Sequence, residues 1–371
     1  MTHPEFDRHR LHIRPLAERT SKLEIERDHV APTAQPGVLS DATTAVVTET
    51  VGRIRRARAR GASVILAFGA HTIKNGLGPV LIDLMERGWV THLATNGAGI
   101  IHDWEFAFQG QTSEDVEAYV HTGQFGIWEE TGRYLNLALR VGAWEGRGYG
   151  ESVGHMIAND GLDLPTPEVL LAACAAANED PEHAAAAADL LAGMRDFDLA
   201  PGWLAIPHPA KAYSAQAAAC RLEIPFTGHP MFGHDIIYNH PMNHGAAIGR
   251  TAQRDYLRFA EAVRQIDGGV YLSVGSAVMS PMIFEKAFAM AQNLARQAGG
   301  PIDDHFIAVV DLAAATWDWQ AHGEPPMDNP AYYLRYCKTF NRMGGAMRYA
   351  CADNRDFLLS LCRGLNQEKQ P

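Results

Sequence analysis

The chain has 371 residues, 47% hydrophobic and 20% charged, which is ample for one large core or two modest ones. A formal net charge of −11 and the lack of any basic run argue against nucleic acid as the main partner, because phosphate binding needs clustered Lys and Arg. No apolar stretch reaches bilayer length and the opening MTHPEFDRHRLHIRP holds no segment of signal-peptide type, so neither a membrane protein nor a secreted one is expected.

Residues 1–40 are polar, with Pro15, Pro32 and Pro36, and read as an arm lying on the domain or on a partner subunit rather than as a core element. A helix is predicted from Ala42 to Arg60, with Val46, Val47, Val51 and Ile54 on one face. The strand Ala62 to Phe68 then runs into Gly69-Ala70-His71-Thr72-Ile73-Lys74-Asn75-Gly76, ahead of a helix holding Pro79 near its first turn. A second apolar strand, starting near Val90, delivers the backbone into Asn96-Gly97-Ala98-Gly99, and the polar cluster His102-Asp103-Trp104-Glu105 follows at once. This is the βαβ pattern of a parallel sheet. Ligands of such sheets sit beyond the carboxyl ends of the strands, and small residues there let a phosphate or a nicotinamide approach the main chain. Neither loop matches GxGxxG, and Gly-rich turns also join strands to helices where nothing binds.

The Ala-rich stretch Thr166 to Arg195 reads as two helices split at Asp180-Pro181, a helical insertion over 160–200 in one continuous domain of residues 41–371. Apolar segments at Trp203 to Ile206, Ile224 to Thr227, Val270 to Val274 and Phe306 to Asp311, alternating with helical stretches at Tyr256 to Ile266 and Met282 to Gln297, bring the count to six or seven strands. Gly275-Ser276-Ala277 is a third small-residue strand end on the same side of the sheet. Between His229 and His244 four histidines and Asp235 fall within sixteen residues; the spacing fits no common ligand pattern, so pocket lining is preferred over a metal and no metal is assigned.

Five widely spaced cysteines, Cys174, Cys220, Cys337, Cys351 and Cys362, form no CxxC pair, which favours a reducing, cytoplasmic setting. Near the C-terminus, Trp317-Asp318-Trp319 and Tyr332 to Lys338 bring aromatic walls, a carboxylate and a lysine together. A lysine desolvated among aromatics is a usable amine nucleophile; the alternative is a surface helix whose tyrosines pack inward.

The order of these motifs resembles the deoxyhypusine synthase family, from about residue 60 to 360. The family's first strand-loop looks like Phe68 to Gly76, its TTAGG-type loop like Thr95 to Asp103, its Asp-Met segment like Asp235-Ile236, and its triple glycine like Gly275-Ser276-Ala277. Lys338 stands eleven residues before Tyr349-Ala350-Cys351-Ala352, as the family's lysine stands before its Tyr-Ala-Asp-Ala strand, and Pro330 matches a proline eight residues ahead. Departures are Tyr332 for a glutamate, Tyr336 for the tryptophan, Cys351 for an NAD-contacting aspartate, Ile101-His102 for an acidic pair and Ser280-Pro281-Met282 for a lysine and two histidines. His102-Asp103-Trp104-Glu105 also looks like the His-Asp-x-Glu of archaeal-type NAD-dependent ornithine cyclodeaminases.

The resemblance implies an α/β fold, a parallel Rossmann-like sheet flanked by helices, and a homotetramer with NAD at subunit interfaces. It implies hydride removal from a carbon next to nitrogen in a small amine or amino acid, with the imine on Lys338. Gly69, Ala70, His71, Lys74, Asn96, Gly97, Ala98, Gly99, Gly275, Ser276 and Ala277 are then expected to hold NAD, with Ala313 and Ala352 letting its rings lie close to backbone. Asp235 and Asp318 are expected to orient a cationic amine, and His102, with an ordinary pKa of about 6.5, to shuttle protons near neutral pH. Rival readings are an ammonia-releasing cyclodeaminase with a structural Lys338, a protein that holds NAD without turning it over, and a metal hydrolase built on the histidine loop.

Overall fold

The computed structural model describes residues 3–314 and 317–367. Six short apolar runs, Val64–Phe68 (β1), His92–Asn96 (β2), Phe226–His229 (β3), Val270–Val274 (β4), Phe306–Asp311 (β5) and Ala346–Cys351 (β6), pair into one sheet, and every pair is parallel. Their spatial order is β3-β2-β1-β4-β5-β6. The chain moves outward from β1 through β2 to β3, returns to the other side of β1, and moves outward again. Between β1 and β4 the direction of progression therefore reverses, and in open parallel sheets ligands bind beyond the carboxyl ends of the strands at such a point.

Strands buried on both faces read as continuous apolar runs rather than alternating ones. Val64, Leu66 and Phe68 of β1 join one core cluster, with Ile54 of helix α1 (Asp41–Ala59) and Phe357 of the helix Asn354–Asn366. Ile65 and Ala67 point the other way, into a second cluster with Phe259 of the helix Gly245–Arg264 and Phe284 of the helix Met279–Gln297. The two-residue period of the strand thus divides one sequence between two cores. These elements agree with the expected α/β sheet; on the second face one helix starts at Met279, three residues before its predicted start, and the other at Gly245, well ahead of the predicted Tyr256.

Three features differ from expectation. Trp203 to Ile206 does not enter the parallel sheet; Gly202–Ala205 pairs antiparallel with Gly161–Leu164 in a separate ribbon. The loop expected at Asn96 to Gly99 is the N-cap and first turn of helix α2 (Gly97–Gln109), which also carries the cluster at 102–105, with Trp104 fully buried. The arm is partly core: Leu16, Ile25 and Val30 are buried, and Ser21–Glu24 pairs antiparallel with Gln111–Glu114. Two helices do flank Asp180-Pro181, Pro167–Ala175 and Pro181–Asp196, capped by the Thr166 and Asp180 side chains. No described helix is long and apolar enough to cross a membrane.

If the arm contributes to the core, Ile25→Ala costs about 2–5 kcal/mol of stability, whereas Val38→Ala, at a fully exposed position, stays within about 0.5 kcal/mol. Chemical denaturation of the two variants against the wild type checks this.

Candidate functional site

The carboxyl ends of four adjacent strands are stitched together by backbone bonds: Gly69 N donates to Val274 O (3.0 Å), Gly275 N to Val310 O (2.9 Å) and Ala352 N to Asp311 O (3.0 Å). This places Gly69, Gly275, Ala313 and Ala352 along one rim, with the first two on either side of the reversal point. A Cβ on Gly69 would run into the Gly275 carbonyl, so Gly69 serves the closeness of the two loops. Gly275 has φ +57°, a conformation that favours glycine, and a Cβ there would stand in open space. Ser276 is buried, and its hydroxyl accepts a bond from Ser280 N (3.2 Å). Ala277 and His71 are exposed, Ala70 half-buried.

Beside this rim, at the start of α2, lies a cavity of about 200 Å³. Lys74, Ala98, His102 and Asp235, all singled out in the sequence, line it together with Arg19, Glu105 and Glu114. Asn96 caps α2, its side chain accepting from Gly99 N (2.9 Å). The room left by Gly97 is taken by the Asp235 carboxyl and that left by Gly99 by Thr95.

The wall of the cavity is a buried ion pair. Arg19, from the arm, donates through Nη1 and Nη2 to Glu105 at 2.6 and 2.9 Å, and both side chains are 1% exposed. Thr131 Oγ1 (3.1 Å) and Thr112 Oγ1 (2.5 Å) also donate to Glu105. Burial alone would raise the Glu105 pKa, but the guanidinium carries it below the ordinary value. Thr112 has one hydroxyl proton, given to Glu105, so the 2.8 Å contact between His102 Nδ1 and Thr112 Oγ1 requires His102 to donate from Nδ1. His102 Nε2 is left as the unprotonated nitrogen. The expected titration near neutral pH is corrected: burial pushes the His102 pKa down to about 4, so the ring is neutral at pH 7.

Two carboxyls here move the other way. Burial raises Asp235 to about 7, and its Oδ2 has no hydrogen-bond partner. Burial also raises Glu114, which accepts from Trp128 Nε1 (2.8 Å). Asp103 faces away from the cavity and accepts from Ser214 Oγ (2.6 Å), Ala215 N (3.0 Å) and Gln216 Nε2 (3.0 Å), tying α2 to the start of the helix Ala215–Arg221.

Lys338 and Asp318 do not line this cavity. The Lys338 ammonium lies 3.3 Å from Glu324 and 3.5 Å from the centroid of Tyr332, a carboxylate and an aromatic face that both hold a cation. Asp318 is exposed and accepts from Gln320 N and Ala321 N, capping a helical turn. The four histidines disperse. His229 is buried with its Nε2 2.9 Å from Thr227 Oγ1, His234 stands at the cavity, His240 meets Glu129 at 3.2 Å, and His244 lies 3.7 Å from Asp189. Among the described residues no three His, Cys, Asp or Glu side chains form a group able to hold a metal ion. Arg19, Glu105 as a hub, Thr112 and Glu114 were not foreseen; nothing around Arg19 in the polar arm distinguishes it from its neighbours, and only the fold brings it to Glu105.

No family model and no curated protein matches the chain. Among solved structures it is similar to ArgZ, an arginine dihydrolase from the ornithine-ammonia cycle in cyanobacteria (15% identity, TM-score 0.42, covering 87% of this chain and 32% of that one). It is also similar to AgrE, solved in a ternary complex with ornithine and NAD+ (14%, 0.43, 89% and 34%), and to a candidate deoxyhypusine synthase from Entamoeba histolytica (10%, 0.41, 88% and 88%). The chain spans about a third of the length of ArgZ and AgrE. These are distant likenesses of fold, and no residue role is carried over from them.

Removing Arg19 while keeping Glu105 leaves a buried charge without its partner: Arg19→Met costs about 3–5 kcal/mol, and adding Glu105→Leu recovers much of the loss. Denaturation of the single and double variants measures it. Asp235 and Asp255, both raised to about 7 from an ordinary 3.8 by burial, make the folded state hold more protons than the unfolded one between those values. Their contribution is therefore full below pH 4 and is lost as pH rises to about 7. Thermal unfolding of Asp235→Asn from pH 4 to 8 should show a flatter decline than the wild type.

Proposed function

We propose that the chain is a nicotinamide-nucleotide-using enzyme that removes hydride from a carbon bearing nitrogen in a small amine or amino acid. The observation that carries this reading is the reversal of strand order between β1 and β4, the order in which parallel sheets bind dinucleotides, with bare backbone at Gly275 beside it. The residues fit such a cofactor. Gly275, Ala277, Ala313 and Ala352 are small, they share one rim, and the direction in which a Gly275 Cβ would point is open. Gly69 and Ala70 form the other side. When bound, the nicotinamide would accept the hydride.

The chain's own residues supply the rest. The amine must be neutral before hydride can leave the adjoining carbon, and His102 Nε2, the unprotonated nitrogen in the cavity, accepts a hydrogen bond from it; with its pKa lowered to about 4 by burial the ring does not itself take the proton. Thr112 fixes the ring's tautomer, and Glu105, anchored by Arg19, orients Thr112. Asp235 offers an acceptor oxygen without a partner to the substrate nitrogen. Because Lys338 is held by Glu324 and Tyr332 away from these groups, the product imine in this reading is open to water, and the reaction is a net oxidation that ends in hydrolysis.

NAD at about a hundred times its dissociation constant should raise stability by about 2.7 kcal/mol, read as a shift in thermal unfolding; no shift at millimolar NAD sinks the reading. His102→Gln should keep that shift and lower the rate of nicotinamide reduction, followed by absorbance, by about tenfold, the loss of one positioning hydrogen bond. Borohydride reduction during turnover tests the lysine-bound alternative, since a substrate-derived mass on Lys338 would replace hydrolysis by imine transfer.

A further inference from the structure

Lysines are few in this acidic chain, and nearly all are neutralised. Among the described residues Lys22 lies 3.2 Å from Asp115, Lys211 2.5 Å from Asp160 and Lys338 3.3 Å from Glu324, while Lys286 pairs with Glu285. Lys74 is the exception, with no acidic partner and no side-chain hydrogen bond among them. It stands half-buried at the end of the short helix Ala70–Lys74 and lines the 200 Å³ cavity, near enough to His102 to depress that ring's affinity for a proton. The other cation of the cavity, Arg19, is already committed to Glu105 through both terminal nitrogens.

The groups facing Lys74 do not neutralise it. Asp235 and Glu114 are held toward their protonated forms by burial, His102 is neutral, and Glu105 is matched by Arg19. One uncompensated ammonium therefore meets one acceptor oxygen without a partner, Asp235 Oδ2, across a space below the roughly 300–1,000 Å³ of drug-sized sites. That is the complement of a small molecule with an anionic and a hydrogen-donating end.

We propose that Lys74 anchors a substrate carboxylate, so that the ligand of this cavity is a small amino acid rather than a plain amine and Lys74 is not a cofactor contact; this rests on the amine-oxidising reading above. The ammonium meets the carboxylate as a charge-assisted pair, and the amino group is directed toward Asp235 and His102. A diamine of equal length lacks the anion and leaves Lys74 unpaired.

The test compares L-ornithine with 1,4-diaminobutane, which differ by the carboxylate, in calorimetric titrations of the full chain with and without NAD. Lys74→Met and Lys74→Arg are measured beside the wild type; Lys74 makes no side-chain hydrogen bond or ion pair among the described residues, and circular dichroism checks that both variants are folded. Ornithine should bind and diaminobutane bind at least tenfold more weakly; Lys74→Met should weaken ornithine by about 10- to 100-fold and Lys74→Arg recover part of it. Equal binding of the two ligands, no binding of either, or unchanged ornithine binding by Lys74→Met overturns the proposal. Loss of NAD binding by Lys74→Met, with ornithine binding intact, overturns it in favour of a cofactor contact and leaves the enzyme reading standing. Lys74-dependent ornithine binding in a chain that never binds NAD has the opposite meaning: the anchor holds and the enzyme reading fails.

Discussion

The carboxylate of Glu105 is the point on which the cavity is built. It accepts two bonds from Arg19, one from Thr112 and one from Thr131, groups that lie in the arm, the ribbon next to it and the helix Glu129–Trp144. Taking both charges out of water costs several kcal/mol per ion, and their attraction offsets this only when the remaining hydrogen-bonding capacity is filled, as it is here. The dependence runs outward from there. The arm must cross α2 for Arg19 to reach Glu105, the pairing of Ser21–Glu24 with Gln111–Glu114 puts Thr112 against the same carboxylate, and Thr112 then settles which nitrogen of His102 is free.

Comparison of the buried acids shows that charge, more than hydrogen-bond number, separates them. Asp103 accepts several bonds from neutral donors and is still pushed up by burial. Asp255 accepts from Gly150 N (2.8 Å) and Gly228 N (2.7 Å), holding the helix Tyr149–Asn159 to β3, and is also raised. Glu105, equally buried, falls below its ordinary value because its donors include a guanidinium. Neutral dipoles thus leave a buried carboxyl above its ordinary pKa, and a fixed cation takes it below.

Much of the sheet was legible because a strand covered on both faces is an unbroken apolar run: VILAF in β1 and VYLSV in β4 admit few other readings. Gly202–Ala205 is too short and too exposed to declare which sheet it joins, and only its partner Gly161–Leu164 decides. The site was legible in part. Lys74, Ala98, His102 and Asp235 do meet in one cavity, since loops at the carboxyl ends of parallel strands must converge. Lys338 drew attention through its spacing to Tyr349-Ala350-Cys351-Ala352 and Asp318 through local composition, but neither reveals that Glu324 is the lysine's neighbour or that the aspartate caps a turn. The histidine run shows the same limit: residues close in sequence leave a loop in different directions, three of the four meeting different partners and His234 lining the cavity.

Small residues at strand ends have two distinct uses here, and separating them narrows where a ligand can lie. Substituting any of Gly69, Gly97 or Gly99 would place a Cβ into protein, namely the Gly275 carbonyl, the Asp235 carboxyl and Thr95. Those glycines let elements pack. Gly275 is different, because its φ excludes most side chains while the space above it is open. A planar ring or a phosphate that needs bare backbone is therefore served on the β4 side of the reversal point, next to Ala313 and Ala352. On the β2 side the room beside Gly97 is taken by the Asp235 carboxyl, which lines the cavity proposed for the small polar ligand. On this division the proposed cofactor and the proposed small ligand would lie on opposite sides of the reversal point, and the line between them falls where the glycines stop packing against protein and begin to face space.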